Sequence, residues 1–210
     1  MHKQAKVKIR GTRPLQFHAF GIHALDGGRK EKTGTAGNDP SEWRKTVLAM
    51  PDGQLYITRP YIFGCLKNGG KHEKVGKGSL LPKVAATLQV CGSDKIPIIG
   101  RKLPGSIDSI KNEDLSTNPE DPVYLNIAGV RNPSTKARNI RYTICCCTGW
   151  ELEFHIMWDV TMISENSMEA ICISAGSFEG LGDGRSIGNG RFEILSFELE
   201  KVDAKKKATK

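Results

Sequence analysis

The chain has 210 residues, with 31 lysines and arginines against 23 acids, a formal charge of +8, and 38% hydrophobic residues. That length buries the core of one domain and is too short for a second complete one. No run approaches the roughly 20 apolar residues of a membrane span, and no apolar stretch follows the basic start Met1-His2-Lys3 to make a signal peptide. The expected setting is therefore cytoplasmic, away from membranes, and the basic body predicts a polyanionic partner.

In chain order, alternation of basic and apolar residues over 6–10 predicts an opening strand, followed by a further extended run over 15–25. Residues 26–40 are rich in Gly, Lys and Thr without periodicity and predict a loop. Asp39 or Ser41 caps a short helix entering at Glu42-Trp43. Leu55-Tyr56-Ile57-Thr58 reads as a short strand, and Arg59-Pro60 ends it and begins the next segment. Two strand-like pieces, 80–90 and 96–103, flank Cys91-Gly92-Ser93-Asp94 and predict a hairpin. Residues 106–121 are acidic and rich in turn formers.

The C-terminal half carries stronger periodicity. Residues 139–147 and 150–160 flank Thr148-Gly149 and predict an antiparallel hairpin, with Trp150, Leu152, Phe154, Ile156 and Trp158 on its buried face. Ser167 is placed to cap a helix whose Met168, Ile171, Cys172, Ala175 and Phe178 share one face up to Gly180. Phe192, Ile194, Phe197 and Leu199 then alternate with a phase slip at Leu195-Ser196, which predicts a strand with a bulge. The six cysteines form no Cys-x-x-Cys pair. They predict buried thiols, with neither a zinc ribbon nor a disulfide framework.

Between the last helix and the last strand lies Gly180-Leu181-Gly182-Asp183-Gly184-Arg185-Ser186-Ile187-Gly188-Asn189-Gly190-Arg191-Phe192, with five glycines and two arginines. Glycines at that density permit positive φ and close backbone approach, and unobstructed amides beside Arg185 and Arg191 suit an anion. Two glycines would serve a plain helix-to-strand turn. Lys67, Lys71, Lys74 and Lys77 form a second basic group that reads equally as a solvated loop. Arg131, Lys136, Arg138 and Arg141 form a third, with Arg141 expected on the open face of the sheet. Tyr61, Tyr142 and the tryptophans are the aromatic groups considered for base stacking, Trp150 and Trp158 being assigned to the core. No metal or cofactor motif is present.

Strand, helix, strand, strand, helix, strand is the ferredoxin-like, or RNA-recognition-motif, order. The expected fold is α+β: a modified ferredoxin-like core with an antiparallel sheet over about 5–70 and 139–202, a long insertion at 71–138 in its first half, and a basic tail at 203–210. On two landmarks the chain resembles the repeat-associated mysterious protein (RAMP) superfamily of CRISPR systems. One is the glycine segment, in which Asn189 stands where the family often has an aromatic residue. The other is Arg59-Pro60-Tyr61-Ile62-Phe63-Gly64-Cys65-Leu66-Lys67-Asn68-Gly69, similar to the segment that opens the first helix of the guide-RNA-binding backbone subunits.

The resemblance implies a non-catalytic subunit of a ribonucleoprotein effector complex. Its partners would be single-stranded guide RNA, copies of itself and other effector subunits, and it would need no cofactor. Arg59, Lys67, Lys71, Arg138, Arg141, Gly182, Gly184, Arg185, Gly188, Gly190 and Arg191 are the residues expected at the nucleic acid. Two alternatives stand beside it. One is a RAMP-fold endoribonuclease, for which Asp26 and His23 are the catalytic residues considered. The other is a self-assembling structural protein of a mobile element.

Overall fold

The structure, a computed structural model, describes residues 1–19, 39–131, 134, 136 and 138–200. The chain is a mixed α/β protein with antiparallel sheets. Strand β1 (His2–Gly11) leads into the short β2 (Leu15–Gln16). After helix α1 (Trp43–Thr46), strand β3 (Gln54–Thr58) runs directly into α2 (Arg59–Gly69). A small hairpin, β4 (Lys74–Val75) and β5 (Gly78–Ser79), precedes α3 (Leu81–Thr87), β6 (Gln89–Cys91) and β7 (Lys95–Lys102). Then come β8 (Val123–Arg131), β9 (Arg138–Cys146), β10 (Glu151–Asp159), α4 (Glu165–Ser174) and β11 (Phe192–Glu200).

The main sheet has the order β11-β1-β10-β7-β3, with β6 also paired to β10. Its covered face follows from alternation: Ala5, Val7 and Ile9 on β1 and Leu152, Phe154, Ile156 and Trp158 on β10 are all buried in the core cluster. Helices α2 and α4 pack against each other, and α4 also packs on β11. The phase slip predicted in the last strand is present as a bulge, since Ile194 pairs with Ile9 and Ser196 with Lys8, leaving Leu195 between them. Trp150 and Trp158 are fully buried, and their indole N–H groups donate to the carbonyls of Arg13 at 2.8 Å and Ile163 at 3.0 Å. Both polar handles are thus satisfied.

Three expectations are corrected. Strands β9 and β10 do not form a hairpin with each other: β9 pairs along its length with β8 in a second sheet, β2-β9-β8, while β10 pairs with β1, β6 and β7. Alternation reports a buried face without naming the strand alongside. The piece at 80–90 is mostly helix, because Pro82 opens a helical first turn and Leu80, Val84 and Leu88, four residues apart, bury one side. The turn at Cys91 to Asp94 does not reverse the chain, since β6 and β7 both run antiparallel to β10 along the same edge.

The last helix carries a fourth difference. Ser164, not Ser167, is its N-cap, accepting from the Ser167 amide at 3.2 Å. After Ser174 the helix widens into a π-helical turn, Ala175–Glu179, closed by the Gly180 amide donating to the Ala175 carbonyl at 2.9 Å. A π turn takes one more residue than an α turn and so rotates the side chains beyond it out of the α-helical phase. Met168, Ile171, Cys172 and Ala175 are buried as the helical spacing predicts, but Phe178 is 55% exposed.

Candidate functional site

The glycine segment folds back on itself and onto β2. The Leu181 amide donates to the Gly190 carbonyl at 2.9 Å, the Asp183 amide to Gln16 at 2.9 Å, and the Gly190 amide to Pro14 at 2.7 Å. Ile187, Gly188 and Asn189 donate to Gly184, Arg185 and Gly184. Asn189 is engaged through its side chain too, donating to Gln16 Oε1 at 2.9 Å. Most of the amides expected to face an anion are therefore consumed inside the protein. Gly184, Arg185 and Ser186 keep consecutive amides that no carbonyl or side chain among the described residues accepts.

All five glycines have positive φ, but their surroundings differ. A Cβ on Gly182 would lie 2.5 Å from the Gln16 carbonyl oxygen, one on Gly180 2.9 Å from that of Asn189, and one on Gly190 1.8 Å from that of Leu181. Those three are required by packing within the protein. At Gly184 the crowding atoms are side-chain tips, and at Gly188 nothing lies within 4 Å. Open space outside the knot is thus confined to the stretch around residues 184–188, where Arg185, Ser186 and Ile187 are exposed and Asp183 places a carboxylate alongside. Arg191 is more enclosed: its Nη1 is buried and has no hydrogen-bond partner among the described residues, and its carbonyl accepts from the Thr12 amide at 2.9 Å.

Folding brings the π turn that precedes this segment against α2, and the Gly180 backbone onto Cys65. Cys65 Sγ donates to the Ala175 carbonyl at 3.7 Å, and a Cβ on Gly69 would stand 2.7 Å from that of Ala175. The half-buried phenol of Tyr61 lies within the fields of Asp183 and Arg185, and burial pushes its pKa upward. Cys65 is buried, and its thiol is pushed up to about 12, chiefly by desolvation.

Tyr61, Gly64 and Lys67 recur at three-residue spacing on the side of α2 that is not fully buried. A Cβ on Gly64 would meet nothing within 4 Å, and its φ is not positive. Glycine inside a helix costs about 1 kcal/mol relative to alanine, and nothing among the described residues accounts for this one. Gly64 belongs to the second sequence landmark but is not among the residues expected there at the nucleic acid. Its signal, a glycine between helical turns, is present in the sequence.

The other basic residues are dispersed. Arg59 begins α2 and pairs with Asp94 at 3.2 Å. Lys67 sits in the last turn of α2, and Lys71 lies 4.0 Å from Glu179. Arg138 stands at the outer end of the β8–β9 ladder opposite Arg131, both exposed. Arg141 does not lie on the open face of the main sheet: it belongs to β9, and its guanidinium is held by Glu42. His23 and Asp26 lie outside the described residues.

The open face of the main sheet is charged but self-paired. Lys6 meets Glu153 at 3.1 Å, and Lys8 and Arg10 both meet Glu151 at 2.9 Å. His155 Nδ1 lies 3.1 Å from Glu200, which also accepts from Gln4 at 2.9 Å. Carboxylates of β10 and β11 thus neutralise the basic row of β1, and a polyanion gains little by lying there. Among the described residues no group of three or more His, Cys, Asp or Glu side chains is placed to hold a metal, and no helix is long and apolar enough to cross a membrane.

No family model matches the chain, and no curated protein matches its sequence. Among solved structures, it is similar to a chain from the cryo-EM structure of the type III-B Cmr-beta bound to cognate target RNA, with a TM-score of 0.49 and 12% identity. The match covers 95% of this chain and 61% of that one, so the chain spans less than two thirds of its neighbour's length.

Proposed function

We propose that this protein binds single-stranded RNA along α2 and the exposed part of the glycine loop, as a non-catalytic backbone subunit of a guide-RNA effector complex of the RAMP type. The observation that carries the reading is the meeting of the two sequence landmarks. Far apart in the chain, they approach each other where the Tyr61 phenol of α2 lies in the fields of Asp183 and Arg185, with Gly64 and Lys67 following Tyr61 at three-residue spacing along the same helix. A glycine that leaves helix backbone uncovered, an aromatic ring and unburied cations suit a sugar-phosphate strand pressed closely against the protein. Guide pairing would carry the sequence, so the protein needs backbone contacts and little base reading. Copies of itself and other effector subunits would be its protein partners.

The sheet supports the same reading. The order β11-β1-β10-β6, with α2 between β1 and β6 and α4 between β10 and β11, is compatible with a ferredoxin-like core to which β9 and most of the segment at 71–138 are additions. Phosphates would lie on the helix and loop side, because the open sheet face is already neutralised.

Anisotropy of a labelled oligouridylate titrated at about 50 to 200 mM salt tests the reading. Binding should weaken as salt rises, and Arg185→Ala should flatten the log–log slope by about 0.7 for each single-strand phosphate lost. Arg141→Ala, which breaks a pair with Glu42, should leave the slope unchanged. No binding by the wild-type protein at low salt, or an Arg185→Ala slope equal to the wild type, overturns it.

A further inference from the structure

We infer that Phe178 and His72 form a stacking platform for one unpaired base of the bound strand, an inference that rests on the RNA-binding reading above. Phe178 stands outward on the π-helical turn and is 55% exposed, and its ring lies 4.8 Å from that of His72 at an interplanar angle of 43°. His72 is held from behind, its Nε2 lying 2.9 Å from a carboxylate oxygen of Glu179. The turn itself is anchored, because a Cβ on Gly69 would be 2.7 Å from the Ala175 Cβ, which leaves no slack between α2 and the turn. The platform is thus a rigid aromatic surface set on two packed elements.

Its surroundings specify the ligand. Lys67 and Lys71 belong to the end of α2 and the turn after it, and Lys74 and Lys77 to the hairpin β4–β5 and its loop. That hairpin is tied beside the end of α4 by the Ser174 hydroxyl, which donates to Glu73 at 2.6 Å. Glu73 and Glu179 spend their carboxylates on Ser174, His72 and Lys71, whereas Lys67, Lys74 and Lys77 have no ion-pair partner among the described residues. An exposed aromatic face rimmed by unspent cations fits a base whose neighbouring phosphates need neutralising. Val75 on the hairpin is exposed as well, but it stands between Lys74 and the Lys77 loop, so a broad apolar protein surface is fitted less well. The π turn is what creates it, as a continued α-helix would have turned Phe178 onto the core face.

The test compares wild type, Phe178→Ala and Phe178→Trp on a labelled oligouridylate and on an abasic strand of equal length, with circular dichroism as the folding control. Phe178→Ala should weaken oligouridylate binding about five- to a hundredfold and leave abasic binding unchanged. Phe178→Trp should retain binding, with its tryptophan emission quenched on addition of oligouridylate. Equal oligouridylate affinity for wild type and Phe178→Ala overturns the platform while the RNA-binding reading stands. Equal losses on both strands also overturn it, as does unchanged oligouridylate binding with loss of self-association by sedimentation, which would mark a protein contact. If wild type binds neither strand, both readings fall together.

Discussion

Gly190 and Leu181 clamp the glycine loop shut: the Leu181 amide donates to the Gly190 carbonyl at 2.9 Å, and a Cβ on Gly190 would stand 1.8 Å from the Leu181 carbonyl oxygen. Backbone on both sides leaves nothing flexible to yield. Gly190→Ala should therefore cost at least about 3 kcal/mol, combining overpacking with strain at positive φ. For a chain of this size that is a fall in Tm of about 6 to 12 °C, measurable by thermal circular dichroism.

Gly64 predicts the opposite sign. With normal helical backbone and open space where its Cβ would go, Gly64→Ala should raise stability by about 0.5 to 1 kcal/mol. It should also weaken oligouridylate binding by placing a methyl group where the strand approaches α2. A variant both more stable and equally tight in anisotropy would show that no ligand presses on the helix there.

Glu151 joins Lys8 and Arg10 on the open sheet face, and its hydrogen bonds to them hold its pKa below the ordinary 4.5. A carboxylate depressed in the folded state contributes stability above its unfolded pKa and loses it as pH falls through the folded value. The Tm advantage of wild type over Glu151→Gln should be constant at neutral pH and shrink as pH drops below 4.5. An advantage that grows on acidification would contradict the assignment.

The cysteines divide by burial. Cys65, Cys145, Cys146 and Cys172 are buried, whereas Cys91 and Cys147 are partly accessible. Burial raises the pKa of the first four, Cys65 and Cys145 to about 12, so little nucleophilic thiolate forms at neutral pH. A thiol-reactive chromophore should titrate two groups in the native protein and all six after denaturation. Rapid reaction of a third native thiol would show that the core opens.

Arg185 and Arg141 show how far local reading reaches. Both are arginines beside apolar or glycine-rich sequence, and the sequence alone gives no reason to rank them. Arg185 projects from an exposed turn, whereas Arg141 is committed to Glu42, far from it in the chain. The five loop glycines are likewise alike in one dimension. Folding separates those that admit neighbouring backbone from Gly188, which faces open space.

Local chemistry was enough for the alternation that buries Leu152, Phe154, Ile156 and Trp158, the phase slip at Leu195 and the burial of four of the six thiols. Each depends on neighbours a few residues away. Tertiary structure alone decided that β9 pairs with β8, that the glycine loop ties itself to Pro14 and Gln16, that α2 meets the π turn, and that this turn sends Phe178 outward. Periodicity specifies which side of an element is apolar, but several partners can cover the same side. The choice among them is made by packing over the whole chain.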